Sequence, residues 1–342
     1  MSLFLKLMQS GWFALTEYLS AHVVTCLVPA FFIAGAITIF ISQEKVLKYF
    51  GAKTKKFISY SIASISGAIL AVCSCTVLPL FSGIYKRGAG IGPAIAFLYS
   101  GPAINILAIT YTAKLLGYQI GIARAVGAIL FSVIIGLIMQ FIFPSHNKEQ
   151  QGFASTFEAK SGRSEVINIL FFVFLTLVLI FASSKKWIYL GVSLIAVIFI
   201  SIKYLKKYEF KMWMISTWDF FKQIFPLLLL GIFIAGIIKF FISPEFIAKW
   251  VGKNNILSNA LASVIGAFSY FATLTEVPIV KALTDLGMSK GPALSLLLAG
   301  PSLSLPNMIV INKIMGWKKA TTYILLVIVM ASFTGLIFGK YF

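Results

Sequence analysis

The stretch GPALSLLLAGPSLSLPN, residues 291–307, combines an apolar helical sequence with two glycine–proline pairs. Proline is favoured at the first position of a helix, and glycine or serine can precede it as a cap. We therefore expect a short helix from Pro292, a break, and a second helix that starts at Pro301. Because a break leaves backbone groups unpaired, it persists at membrane depth only when it is buried in protein or lines a cavity.

A second stretch repeats this pattern. GPAIAFLYSGPAIN, residues 92–105, also has two glycine–proline pairs, and each lies 199 residues before its counterpart in 291–307. The same offset relates ASISGA (63–68) to ASVIGA (262–267). Glycine and proline mark required backbone breaks, so their coincidence at one offset predicts a duplicated chain. Whether the repeats are parallel or inverted stays open, because re-entrant segments at the breaks would change the number of crossings.

The composition places these repeats in a membrane. The 342 residues are 59% hydrophobic and 11% charged, with a mean hydropathy of +0.95, too apolar to cover the surface of a soluble domain. Apolar runs such as 168–184 and 321–339 match the roughly 20 residues that a helix needs to cross a bilayer. The predicted fold is an all-α polytopic membrane protein, built as two homologous repeats whose Gly-Pro broken helices meet at a central site.

About ten membrane helices are predicted in this arrangement. Residues 144–165 form a long polar segment with Pro, Ser, Gly and mixed charges, which is typical of a flexible linker. The predicted segments are 1–143, the first membrane repeat; 144–165, the polar linker; 166–204, two connecting membrane helices; and 205–342, the second membrane repeat. The expected helices lie at about 12–42, 57–84, 91–112, 116–143, 166–184, 187–204, 216–242, 256–283, 291–312 and 320–341.

The charged and thiol side chains indicate which partners and ligands the chain can be expected to bind. The net charge is +19, but the 29 Lys and Arg residues are scattered over short loops, where they anchor helix ends at lipid headgroups. We therefore expect the lipid bilayer as a partner and no nucleic acid. Cys26, Cys73 and Cys75 all lie in apolar stretches, without the spacing of a disulfide framework or a structural zinc site. No cofactor is expected, and metal binding stays open.

Polar side chains stand beside both breaks. A half-helix N-terminus directs free N–H groups and partial positive charge at whatever fills the break, so a substrate site is expected there. Hydrogen bonding between helices is the alternative role for each polar residue. The candidate substrate-binding residues at and before the breaks are Thr76, Gly101, Pro102, Asn105, Thr275, Gly300, Pro301, Ser302, Ser304 and Asn307.

Glu276 is a carboxylate within an apolar run, FATLTEVPIVK. Such a group is costly inside a membrane and usually faces a partner or a water-filled path. Burial favours the protonated form of a carboxyl group, which makes Glu276 the candidate for proton coupling. The alternative is that Glu276 lies at a helix end near water. The matching position in the first repeat is Val77, so the repeats differ in chemistry.

Cys73 and Cys75 form the pattern CSC, with Pro79 shortly after them. Each could be a small buried hydrophobic residue. As a pair beside a proline break, they are instead candidate ligands for a thiophilic species such as trivalent arsenic, copper or zinc. Residues i and i+2 diverge by about 200° on a regular helix, so a shared ligand requires an unwound helix or thiols that act in sequence.

The sequence resembles the predicted-permease family that includes the organoarsenical (methylarsenite) efflux permeases. The resemblance is carried by three stretches: CSCTVLPL, GPAIN, and TEVP followed by LAGPSLSLPN. The resemblance covers nearly the whole chain. It implies a multi-pass permease of the prokaryotic inner membrane that exports a small substrate, which in the methylarsenite exporters is trivalent arsenic. The family motif falls on Cys73, Cys75, Pro79, Glu276 and Pro278.

A secondary transporter explains the duplication, the paired breaks and the buried acid together. The sequence has no P-loop pattern G-x-x-x-x-G-K-[ST], so a proton or ion gradient is the expected energy source, with protons as the candidate coupling ion because of Glu276. A small-molecule substrate is expected, the oligomeric state stays open, and an enzyme is not expected. The alternatives are a permease for an unrelated small anion or metal ion, a channel, and a membrane thiol–disulfide redox enzyme that uses Cys73 and Cys75.

Overall fold

The structure, a computed structural model, describes residues 3–41, 55–70, 74–144, 165–184, 186–241, 250–269 and 276–342. Within these ranges the regular structure is entirely helical, as predicted. Cys73, Thr275 and nearly all of the predicted linker lie outside the described residues.

In chain order, the helices are α1 (Leu3–Tyr18), a π-helical segment (Leu19–Leu27), α2 (Val28–Phe40), α3 (Lys56–Leu70), α4 (Ser74–Lys86), α5 (Ile91–Ala103), α6 (Ile106–Leu116), α7 (Tyr118–Ile142), α8 (Glu165–Ser183), α9 (Trp187–Tyr204), α10 (Lys207–Phe241), α11 (Ile256–Phe268), α12 (Glu276–Asp285), α13 (Lys290–Leu303), α14 (Leu305–Met315) and α15 (Trp317–Tyr341).

The described helices provide fewer candidate membrane crossings than the ten expected. Among the described residues, five helices are long and apolar enough to span a bilayer, namely α7, α8, α9, α10 and α15. The pairs α5–α6 and α13–α14 raise the number to seven if each crosses as one bent span. About ten spans are therefore not confirmed. Part of the difference is that the runs predicted at 57–84 and 256–283 are each divided into shorter helices.

The two interrupted helices occupy the centre. Every residue of α5 is buried, as is every residue of α13 after Lys290, and the two helices pack against each other. By contrast, α9 turns large apolar side chains outward, with Ile188 82% and Ile202 80% exposed. Because an apolar surface of this kind is stable in lipid, α9 lies at the periphery and α5 and α13 lie inside.

Glycine pairs bring the central helices close to their neighbours. A Cβ atom on Gly92 of α5 would lie 2.8 Å from the carbonyl oxygen of Gly136 on α7. A Cβ atom on Gly291 of α13 would lie 2.6 Å from the carbonyl oxygen of Gly335 on α15. No side chain fits at such distances, so these positions require glycine and fix α5 against α7 and α13 against α15.

The two halves also contact each other crosswise. The short helix α12 packs against α6, and the short helix α4 packs against α14. At the centre, the Tyr99 hydroxyl donates a hydrogen bond to the Leu298 carbonyl oxygen over 3.1 Å. In both halves, therefore, a short helix (α4 or α12) packs against the helix that follows the break in the other half (α14 or α6).

Candidate functional site

The breaks lie slightly after the positions predicted from the prolines. Pro102 and Pro301 are inside α5 and α13, so the predicted helix starts at these prolines are wrong. A proline removes one intrahelical hydrogen bond, and less than one further turn forms before each helix ends. The next helices begin at Ile106 and Leu305, and the two pairs bend by 48° and 47°.

Glu276 begins α12 and is buried, with 1% of its surface exposed. Its Oε2 atom accepts a hydrogen bond over 3.1 Å from Nη2 of Arg124, which is fully buried in α7. Nη1 of Arg124 donates to Oγ1 of Thr112 on α6 over 2.9 Å. Removal of either charge from a buried ion pair leaves the other uncompensated, so a change on one side of this contact between the halves is expected to be strongly destabilising.

Arg124 and Thr112 were not predicted. The signal for Arg124 is an arginine in an otherwise apolar run, GIARAVGAIL (121–130), which is the same rule that selected Glu276. Thr112 has no comparable signal, because a threonine in a membrane helix commonly bonds its own backbone. Thr112 also does so, donating from Oγ1 to the Ala108 carbonyl oxygen over 2.6 Å.

The Glu276 carboxylate lies directly against the second interrupted helix. A Cβ atom on Gly300 would lie 2.6 Å from Oε1 of Glu276, and a Cβ atom on Gly266 of α11 would lie 3.3 Å from the Gly300 amide nitrogen. Gly300 therefore provides the space that admits the carboxylate, while α11 closes the other side of the backbone.

Four buried oxygen atoms near the second break have no hydrogen-bond partner within the described part of the chain. They are Oε1 of Glu276, Oγ of Ser302, Oγ of Ser304 and Oδ1 of Asn307. These residues are between 1% and 3% exposed. Buried polar atoms are nearly always paired, so four unpaired ones in one region indicate a place that binds water or a ligand.

The first break is different. Asn105 is buried, and its Oδ1 accepts a hydrogen bond from the Ala108 amide over 3.3 Å, which caps α6. Ser100 donates to the Phe97 carbonyl oxygen over 3.2 Å. At the second break, Ser304 stands in the position of Asn105 with an extended backbone (φ −52°, ψ 147°), and its side chain makes no capping bond to α14.

Most of the other predicted residues lie on α4 and α12. Thr76 is buried in α4, Pro79 lies inside the same helix, and Pro278 is in the first turn of α12. Cys75 is in the first turn of α4, but its side chain is outside the described part of the structure, as are Cys73 and Thr275. Among the described residues, no group of three His, Cys, Asp or Glu side chains could hold a metal ion.

Long apolar helices, two bent helix pairs and a buried ion pair between the halves define a multi-pass membrane protein. A family profile described as "Predicted permease" matches residues 9–340, and the chain belongs to this family. The resemblance found in the sequence is thereby confirmed. Family membership supports a transporter rather than an enzyme, and in a prokaryotic cell such a protein lies in the inner membrane.

Three similar proteins carry names that state no activity. UPF0718 protein MJ0584 of Methanocaldococcus jannaschii is 48% identical over 340 residues, covering 94% of this chain and 93% of its own length. UPF0718 protein YraQ of Escherichia coli is 21% identical over 71% of this chain and 56% of its own length. UPF0718 protein YcgR of Bacillus subtilis is 26% identical over 32% of this chain and 38% of its own length. No solved structure matches the chain.

Proposed function

We propose that the chain is a secondary-active permease that exports a small thiophilic solute, best represented by a trivalent arsenical, with protons as the coupling ion. The observation that carries this proposal is the buried Arg124–Glu276 ion pair, which spans the two halves beside the second break. Ionisable side chains are costly inside a membrane, and where they occur they usually mark a substrate pathway or a proton relay.

The proposed architecture is a duplication whose halves move against each other. Several features at the 199-residue offset support it. After this shift, the bounds of α6 and α7 coincide with those of α14 and α15. The glycines that precede α7 and α15 both have a positive φ, 99° at Gly117 and 83° at Gly316. Tyr99 and Leu298 are related by the same offset and are in contact, which is the contact expected beside an axis between two repeats.

In the proposed mechanism, protonation of Glu276 controls movement between the halves. The ionised carboxylate holds α12 against α7 through Arg124. A protonated carboxyl group loses most of this attraction, so the halves are released and can change the side on which the site opens. Proton release after the change restores the pair.

The thiols are the proposed ligands for arsenic. Cys75 lies in the first turn of α4, and α4 packs against α14, which begins directly after the second break. Each thiol that binds trivalent arsenic displaces one hydroxyl group, which leaves as water with the thiol proton while a sulfur–arsenic bond forms. No change of oxidation state is needed, in contrast to the thiol–disulfide enzyme considered as the alternative.

The test is uptake of trivalent methylarsenic into everted membrane vesicles at a series of pH gradients. We expect Cys73→Ser and Cys75→Ser to reduce uptake, and Glu276→Gln to abolish its dependence on pH. Asp285→Asn is the matched control, because Asp285 is an exposed carboxylate at the other end of α12. Uptake with an unchanged pH dependence in Glu276→Gln would overturn the coupling mechanism, and oxidant-dependent cycling of the two thiols would favour the redox enzyme.

A further inference from the structure

We infer that the second break binds a small uncharged solute through the hydroxyl groups of that solute. The ligands are the four unpaired oxygen atoms of Glu276, Ser302, Ser304 and Asn307. The role of this site in transport rests on the proposed function, but the binding chemistry follows from the side chains alone.

The unpaired atoms require a ligand that donates hydrogen bonds. The free carboxylate oxygen of Glu276 and the Asn307 amide oxygen only accept hydrogen bonds, while the hydroxyls of Ser302 and Ser304 can accept or donate. A ligand made only of acceptors, such as a fully ionised oxyanion, would leave the first two unsatisfied. Hydroxyl groups of a solute can donate to the two acceptors and can also bond the two serine hydroxyls.

The charge balance of the site favours an uncharged ligand. Glu276 is already paired with Arg124, so these two side chains together have no net charge. The C-terminal end of α13 and the N-terminal end of α14 meet at the break, and their partial charges are opposite. A lone cation or anion in this buried region would therefore carry a charge that nothing nearby balances, which is strongly unfavourable.

The corresponding positions in the first half cannot form the same site. Val77, Ala103 and Ala108 stand where the second half has Glu276, Ser302 and Asn307. The remaining position is Asn105, whose Oδ1 is used to cap α6. The chain therefore has one hydroxyl-binding site of this kind for its two breaks.

The test uses the purified full chain with all three cysteines replaced by serine. Its binding of arsenous acid, As(OH)3, is measured by equilibrium dialysis. Without thiols, only the hydroxyl groups can be recognised. We expect binding, with Ser304→Ala and Asn307→Leu each weakening it about five- to tenfold, the effect of losing one buried hydrogen bond. Ser201→Ala is the control, because Ser201 is a buried serine of α9 that bonds its own helix at the Val197 carbonyl oxygen. The affinity of the Ser201→Ala variant for arsenous acid should not change.

Competition identifies the class of ligand. Glycerol, an uncharged solute with three hydroxyl groups, should displace arsenous acid, while arsenate and sodium ions should not. If the cysteine-free chain does not fold, dialysis of the unaltered chain with radiolabelled glycerol gives the same test, because glycerol does not react with thiols.

The inference is overturned if arsenous acid binds only when the cysteines are present, if neither Ser304→Ala nor Asn307→Leu weakens binding, or if arsenate or sodium competes. None of these outcomes depends on transport. Vesicles that fail to take up methylarsenic, together with a chain that binds glycerol at the second break, would refute thiophilic export and leave the hydroxyl-binding site standing.

Discussion

At the first break Asn105 accepts a backbone hydrogen bond and caps α6, whereas at the second break Ser304, in the matching position, makes no such bond. The helices around the two breaks also differ in their side chains. Arg124 and Glu276 form a charged junction between α7 and α12, while the positions related to them by the 199-residue offset are Tyr323 and Val77. The polar side chains at the first break are therefore bonded to backbone groups, whereas those at the second break leave buried oxygen atoms unpaired.

The largest expected effect comes from breaking the charged junction on one side only. Arg124→Leu leaves Glu276 buried without a partner, so we expect the free energy of unfolding to fall by about 3–5 kcal/mol. Denaturation in mixed micelles measures the change. The double variant Arg124→Leu with Glu276→Leu removes both charges and should recover most of the loss. Equal stability of the single variant and the wild type would mean that the pair does not hold the halves together.

A smaller effect is expected from adding one methyl group at the second break. Gly300→Ala places a Cβ atom 2.6 Å from Oε1 of Glu276, so the carboxylate must move. We expect a loss of about 1–3 kcal/mol, as for other overpacked sites, and loss of uptake. Gly191→Ala on α9 is the control, because nothing lies within 4 Å of its Cβ position. Full uptake by Gly300→Ala would show that the carboxylate need not lie against α13.

The smallest effect distinguishes the two breaks directly. Asn105→Ala removes a helix cap and should lower the free energy of unfolding by ~1 kcal/mol. Ser304→Ala removes an unpaired buried hydroxyl, so stability should stay the same or rise, yet uptake should fall. Parallel denaturation and vesicle uptake of the two variants would show this difference. A loss of stability in Ser304→Ala equal to that in Asn105→Ala would mean that both side chains are caps.

Sequence reasoning predicted the membrane class, the all-helical fold and the family, because these follow from composition and from glycine and proline positions. It also located a break near each proline pair. It did not predict where the helices end, because a proline permits part of a further turn whose length depends on packing around it. The crossing number was not confirmed either, since hydropathy alone does not divide the runs at 57–84 and 256–283.

The candidate site was only partly predictable. Glu276 stands out in the sequence as a charge in an apolar run, and Arg124 carries the same signal. Their pairing was not predictable, because they are 152 residues apart and belong to different halves. Thr112 is recognisable only once Arg124 is placed beside it. The difference between Asn105 and Ser304 depends on backbone geometry, which residue type alone does not determine.

The most direct measurement compares the wild type with a chain whose charged junction is replaced by the side chains at the positions related to it by the 199-residue offset. Arg124→Tyr with Glu276→Val introduces the residue types of Tyr323 and Val77 at this junction. We expect this double variant to insert and fold, and to take up no trivalent methylarsenic into everted vesicles. Uptake at the wild-type rate, with the same pH dependence, would contradict the proposal that the charged junction beside the second break performs the transport.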